Sequence, residues 1–243
     1  VLDAKGNKMS KHVGNVTNPF EMMEKYGADP VRFYMMTNSE PWDNLKFDPE
    51  GVDEVRRKFF GTLYNTYSFL ALYANVDGFD PETMLNQGNL AERPEIDRWI
   101  ISKANSLIIN VCKQLNDYDP TRAGRLIDNF VNDDLSNWYV RLNRKRFWGK
   151  EMDSDKLNAY QTLYSCLMTV AKLVAPFAPF YADRLYHDLG GKMESVHLES
   201  YPVADTEAID AELEARMDIA QKITSMTLAL RRKVNIKVRQ PLA

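Results

Sequence analysis

Pro94-Glu95-Ile96-Asp97-Arg98-Trp99-Ile100-Ile101-Ser102-Lys103-Ala104-Asn105-Ser106-Leu107-Ile108-Ile109-Asn110-Val111-Cys112 is the stretch that decides the fold. Ile96, Trp99, Ile100, Ala104, Leu107 and Val111 recur at helical intervals and share one broad apolar face, so residues 94–116 read as a helix with one buried side. The same period runs outward in both directions. Upstream, Asp48-Pro49 opens a long helix to about residue 75, and the Asp, Gly, Pro and Asn of 76–93 make a surface connection. Downstream, Asp119-Pro120 caps a helix with Ala123, Leu126, Ile127, Phe130 and Val131 on a stripe. Asn132-Asp133-Asp134 is the place for it to break or bend before it runs on to about Trp148. Another helix starts at Asp153 or Ser154 and reaches Val174, after which Pro176 and Pro179 force a corner into a short helix ending at Gly190-Gly191. Residues 195–202 read as extended. A last helix, about 207–234 and roughly 40 Å long at about 1.5 Å per residue, carries Ile209, Leu213, Ala220, Ile223, Thr227 and Leu230 on one face. Amphipathic helices joined by short connections predict a mainly α chain folded as an antiparallel helical bundle.

The N-terminal part reads differently. Lys5 to Asn15 has no helical period, and Gly6-Asn7 and Gly14-Asn15 are turn formers, which predicts a mobile loop between two bends. Lys8 and Lys11 flank Ser10 there, and two ammonium groups on flexible stems can converge on a polyphosphate. The plain alternative is a solvated basic loop. Asn18-Pro19 with Glu21 then caps a helix closed by Gly27, and Asp29-Pro30 starts another with Val31, Phe33, Tyr34 and Met35. Residues 38–48 follow as a loop whose Trp42 is expected to plug against neighbouring helices.

Composition narrows the function. The 243 residues carry 31 basic and 34 acidic side chains, a net charge of −3, so any contact with RNA must come from a local patch. Cys112 and Cys166 fall on apolar helical stretches and read as core residues, and nothing has zinc spacing. No membrane-length apolar run and no signal peptide are present in the sequence, so a cytoplasmic protein without a membrane partner is expected. The chain lacks an initiator Met and is expected to be a fragment.

Lys8-Met9-Ser10-Lys11-His12 resembles the KMSKS signature of class I aminoacyl-tRNA synthetases, with His12 where the pattern usually has Ser. Tyr26-Gly27-Ala28-Asp29 with Arg32 resembles the same family's next motif, at the expected distance. Asp134-Leu135-Ser136-Asn137-Trp138-Tyr139, Ala175-Pro176-Phe177-Ala178-Pro179-Phe180 and Ser195-Val196-His197-Leu198 resemble its isoleucine, valine and leucine branch. Asn44-Leu45-Lys46-Phe47 and Ile236-Lys237-Val238-Arg239-Gln240-Pro241-Leu242 tilt the likeness toward the isoleucine-charging members. The resemblance implies ATP with Mg2+ as substrate, isoleucine held by a catalytic domain this chain lacks, and the isoleucine tRNA as partner. It implies that Lys8 and Lys11 are catalytic, within an ATP-binding stretch of Lys8, Met9, Ser10, Lys11 and His12. Met9 would anchor the loop, Ser10 would bond locally, and Asp29 and Arg32 would fix how the loop meets the bundle.

The implied division is 1–47 as the end of the catalytic domain with its helical junction, 48–202 as the anticodon-binding bundle, and 203–243 as a helix leading onward. No metal site is expected. The family's His-x-Gly-His signature is absent; His12-Val13-Gly14-Asn15 is only a partial echo.

A second candidate site lies on 134–148. Leu135, Trp138, Tyr139 and Leu142 cluster on one side of a helical wheel and read as core. Asn137, Arg141, Arg144 and Trp148 fall on the opposite side, where hydrogen bonding, charge and a stacking ring suit unstacked RNA bases. Lys145 and Arg146 could reach the RNA backbone. The alternative is a solvated basic face. His187 and His197 read as ordinary structural or surface histidines, and Arg231-Arg232-Lys233 with Lys237 and Arg239 as a basic run that touches tRNA or joins a further region. Valine- or leucine-charging specificity and a free-standing RNA-binding helical module stay open.

Overall fold

The structure, a computed structural model, describes residues 1–85, 89–149 and 151–241. Leu242, which ends the terminal motif, and part of the 76–93 connection lie outside the described residues. Two short helices come first, α1 (Pro19–Tyr26) and α2 (Ala28–Asn38). The Asn18 side chain accepts from the Phe20 amide and Pro19 stands at the first turn, the arrangement that their order predicts. The next helix, α3 (49–77), is continuous but not uniform: an α-helical Pro49–Val55, a widened turn with i→i+5 bonding at Arg56–Phe60, and an α-helical Gly61–Asp77. The 76–93 connection holds single turns at Pro81–Met84 and Leu90–Glu92.

The bundle proper adds α4 (Glu95–Asn116), α5 (120–147), α6 (Ser154–Val174) and α7 (Pro179–Asp188), and α8 (Ala211–Lys233) follows. Asp119 and Asp153 cap α5 and α6 by accepting backbone amides of the first turn. Trp99, Ile100, Leu107 and Val111 of α4 meet Ile127 and Val131 of α5 and Leu163, Leu167 and Val170 of α6 in one core.

Asn132-Asp133-Asp134 does not break α5. The helix instead widens to i→i+5 bonding over Phe130–Val140. That widening changes which residues face inward. Val131, Leu135, Tyr139, Asn143 and Phe147, spaced by four, are buried. In a uniform α-helix a four-residue repeat slips around the axis; the wider turn holds it on one side. Leu142, expected in the core, is 54 % exposed, and Trp138 is half-buried.

Other expectations also need correction. Trp42 is exposed rather than a plug. Residues 195–202 contain a 3-10 turn, Val196–Leu198, whose first turn Ser195 caps with its side chain. The last helix begins four residues later than predicted and runs 23 residues, about 34 Å. Of its expected face only Leu213 is buried, while Ile223 and Leu230 are exposed, since α8 docks through its N-terminal half and then leaves the bundle.

Helix α2 joins the two halves of the molecule. Its Phe33 enters the main core and stacks on Phe59 with ring centroids 4.3 Å apart. Its Val31 and Tyr34 turn the other way into a small core with Phe47 and Val52. The approach of α2 to α5 depends on Gly124, where a Cβ would lie 2.5 Å from Thr37 Cγ2. Gly124→Ala should therefore cost about 1–3 kcal/mol through overpacking. A thermal midpoint equal to the parent's would show that α2 yields freely.

Candidate functional site

The lysine loop, expected from its composition to be mobile, takes a hydrogen-bonded hairpin path in the structure. Leu2 pairs antiparallel with Lys8 and parallel with Lys46, and its amide donates to the Leu45 carbonyl at 2.7 Å. A tight turn at the tip sends the Val13 and Gly14 amides to the Ser10 carbonyl, both at 3.1 Å. Gly6 and Gly14 have φ of 84° and 72°, the left-handed region that glycine enters without strain. Lys8, Lys11 and His12 are exposed. Met9 is half-buried against the small core of Val31, Tyr34, Phe47 and Val52, so the loop is seated on α2. Ser10 Oγ accepts from the His12 amide at 3.3 Å, the local bond expected of it.

The Tyr26–Arg32 motif and the Ala175–Phe180 corner, far apart in sequence, meet in space. Asp29 Oδ2 accepts from the Tyr181 amide at 2.6 Å, at the first turn of α7. Burial pushes the Asp29 carboxyl above its usual range, against the pull of that amide. Arg32 donates to the carbonyls of Phe177 at 3.3 Å and Pro176 at 3.2 Å. Two residues that the sequence reading passed over complete this latch. Thr121 Oγ1 donates to the carbonyls of Met36 and Ser39, and Arg125 to those of Thr37 and Asn38. Their partners are main-chain carbonyls at the end of α2, which no residue type announces.

On the other side of the bundle Asn137, Arg141, Arg144 and Trp148 are all exposed along α5, Trp148 by 56 %. Arg146 is not available there, contrary to expectation. Its guanidinium turns inward and binds the fully buried Asp97 through two bonds of 2.7 and 2.8 Å. Burial alone would lower the Arg146 pKa, but the Asp97 carboxylate outweighs it and the shift is upward.

Asn137 and Arg141 border a groove of about 1090 Å³ between α5 and α8, which Lys103, Asp134, Gln221 and Lys222 also line. Burial raises the Asp134 carboxyl, which Gln221 and Lys103 partly offset at 3.2 and 3.7 Å. Asn137 borders a second groove of about 400 Å³ with Lys58, Thr62 and Asp128, so it stands on the crest between the two. Arg144, Lys145 and Trp148 continue toward the helix end.

The remaining candidates have local partners or none that suggest chemistry. Arg231 donates to the carbonyls of Lys237 and Gln240, folding the tail onto α8. His187 lies 3.7 Å from Asp183, and His197 Nε2 lies 3.2 Å from the Pro179 carbonyl. Cys112 and Cys166 are free thiols, the latter buried. Among the described residues no group of three His, Cys, Asp or Glu could hold a metal ion, and no helix is long and apolar enough to cross a membrane.

Comparison with known proteins adds to this geometry. Residues 97–243 match the anticodon-binding domain of tRNA ligase, and residues 1–48 match the class I tRNA synthetases of the I, L, M and V group. The chain is 65 % identical over all its 243 residues to the isoleucine–tRNA ligase of Porphyromonas gingivalis, and 66 % identical to that of Bacteroides thetaiotaomicron. It covers 21 % of each of those proteins, so it spans about a fifth of their length. In fold it is similar to an Agrobacterium radiobacter LeuRS–tRNA–LeuAMS ternary complex, with a TM-score of 0.61 at 22 % identity over 86 % of this chain and 24 % of that one. It is also similar to Mycobacterium tuberculosis methionyl-tRNA synthetase bound to methionyl-adenylate, with a TM-score of 0.62 at 24 % identity over 75 % of this chain and 35 % of that one.

Proposed function

Because this chain belongs to the anticodon-binding domain family of tRNA ligases, we propose that it is a segment of an isoleucine–tRNA ligase. The whole enzyme would activate isoleucine with ATP and Mg2+ and pass it to the isoleucine tRNA in the cytoplasm. The observation that supports this most is the 65 % identity to such a ligase over an alignment that spans the whole chain, loop and bundle included.

In this reading residues 1–47 close the catalytic domain, 48–202 bind the anticodon end of the tRNA, and 203–243 lead onward. Lys8 and Lys11 bind the ATP phosphates and stabilise the charge that builds on pyrophosphate as the isoleucine carboxylate attacks the α-phosphate. No covalent bond to the protein forms; the contribution is positioning and electrostatics. Met9, packed on the small core, and Ser10, bonded within the turn, keep the two lysines on a defined base.

Asn137, Arg141, Arg144 and Trp148 face the anticodon end. Replacing Arg141 and Arg144 by Ala should flatten the salt dependence of tRNA binding by up to about two units of slope, as two phosphate contacts are lost. Trp148→Ala should weaken binding by about 1–3 kcal/mol with little change of slope if the ring stacks on a base. Titration of the full-length enzyme with its tRNA at several salt concentrations measures both. Unchanged binding by the triple variant would make the ridge a solvated face.

A further inference from the structure

We propose that Asp3 and Asn15 are positioning residues for the lysine loop, a carboxylate–carboxamide staple that closes its stem so that Lys8 and Lys11 act from a fixed base. The proposal rests on the phosphate-binding reading of that loop. Its basis is the use of both ends of one amide. Asn15 Nδ2 donates to Asp3 Oδ2 at 2.9 Å and to the Lys8 carbonyl at 3.2 Å. Asn15 Oδ1 accepts from the Ser10 amide at 2.8 Å. One side chain thus ties the start of the hairpin, the residue carrying the first lysine and the residue before the second.

Asp3 is occupied in turn. Its Oδ1 accepts from the amides of Lys5 at 3.0 Å and Asn7 at 2.8 Å, and its own amide donates to the Asn7 carbonyl at 2.8 Å. The bonds to Lys5 and Asn7 are those of an ordinary Asp turn. The bond to Asn15 crosses 12 residues and no local turn requires it. The Asn15 amide is also the chief reason that the Asp3 carboxyl sits below its usual range.

Only residues 11–14, the exposed tip, lie outside the staple, and Gly14 at a φ of 72° lets the tip bend without pulling the stem apart. A lysine on an untethered loop would have to be ordered at each turnover. The staple supplies that order in advance, which is where preorganised charge gains its effect.

The test uses the full-length ligase and isoleucine-dependent exchange of pyrophosphate into ATP. Asn15→Ala should lower kcat/KM for ATP by about 10–100-fold, the loss that misplacement by about an ångström brings, with the KM for isoleucine unchanged. Asn15→Asp should be at least as poor, since two carboxylates would then face each other. The exchanged pair, Asp3→Asn with Asn15→Asp, restores a donor opposite an acceptor between positions 3 and 15 but leaves the Lys8 carbonyl without its donor. It should therefore recover only part of the activity lost in Asn15→Asp, a coupling that independent sites do not show.

Hydrogen exchange at the Ser10 amide should speed up in Asn15→Ala while the helical bundle melts at the parent's temperature, which separates a loosened loop from a misfolded protein. Parent-level activity in Asn15→Ala beside a collapsed Lys11→Ala would overturn the staple alone. An exchanged pair no better than Asn15→Asp alone, which lacks the same Lys8 bond, would also overturn it. If Lys11→Ala retains full exchange, the phosphate reading has failed and the staple's role in catalysis falls with it.

Discussion

Arg146→Ala should destabilise the bundle by about 3–5 kcal/mol, the cost of leaving a buried carboxylate without its cation. Asp97 has no exposed surface, and its two oxygens accept from the two terminal nitrogens of Arg146. The Tyr139 hydroxyl also donates to Asp97, at 2.8 Å, so the variant would keep one neutral donor and lose the charge that pairs with it. Replacing both partners by apolar residues of similar size, Asp97→Leu with Arg146→Met, should be far milder, because no unpaired charge then stays inside. Urea denaturation of this chain and the variants reads both values. A loss below about 1 kcal/mol for Arg146→Ala, the range of a surface ion pair, would mean that water reaches Asp97 and the pair is not a buried one.

In the isoleucine–tRNA ligase proposed above, Lys11→Ala should slow isoleucyl-adenylate formation by about 10²–10³-fold, the loss expected when one preorganised charge-stabilising donor is removed. The 243-residue chain alone should give no exchange of pyrophosphate into ATP, since it matches the class I catalytic family only over residues 1–48. Exchange by the isolated chain above a protein-free blank would refute that expectation. A decrease below about fivefold in Lys11→Ala would remove Lys11 from the charge-stabilising role.

The contrast between Arg144 and Arg146 shows where sequence reasoning stops. Both are arginines near the end of α5, and both were candidates for RNA. Periodicity put Arg144 on the outer ridge, where it is. Arg146 was also placed outside, yet it reaches Asp97, 49 residues away in sequence, on another helix. Nothing in the local sequence names that partner. The widened turn over Phe130–Val140 had a similar effect, because a wheel drawn at 3.6 residues per turn put Leu142 inside, and the structure puts it outside. Hydrogen-bond register within a helix responds to what the helix packs against, and that packing comes from the rest of the chain.

The lysine loop shows the same division. Its glycines and polar residues describe a flexible segment, and only the fold reveals Met9 seated on a small core and Asn15 holding Asp3. The sequence by itself determined the helices, their caps, the face of α4 that became the core, and the motifs that mark the family, because caps and apolar periods act over a few residues. Tertiary structure alone decided where Asp29 and Arg32 latch, which arginine is buried and which is free, and that half of α8 stands away from the bundle. Each of those depends on groups brought together across the chain, and a residue's spacing from its neighbours carries no information about them.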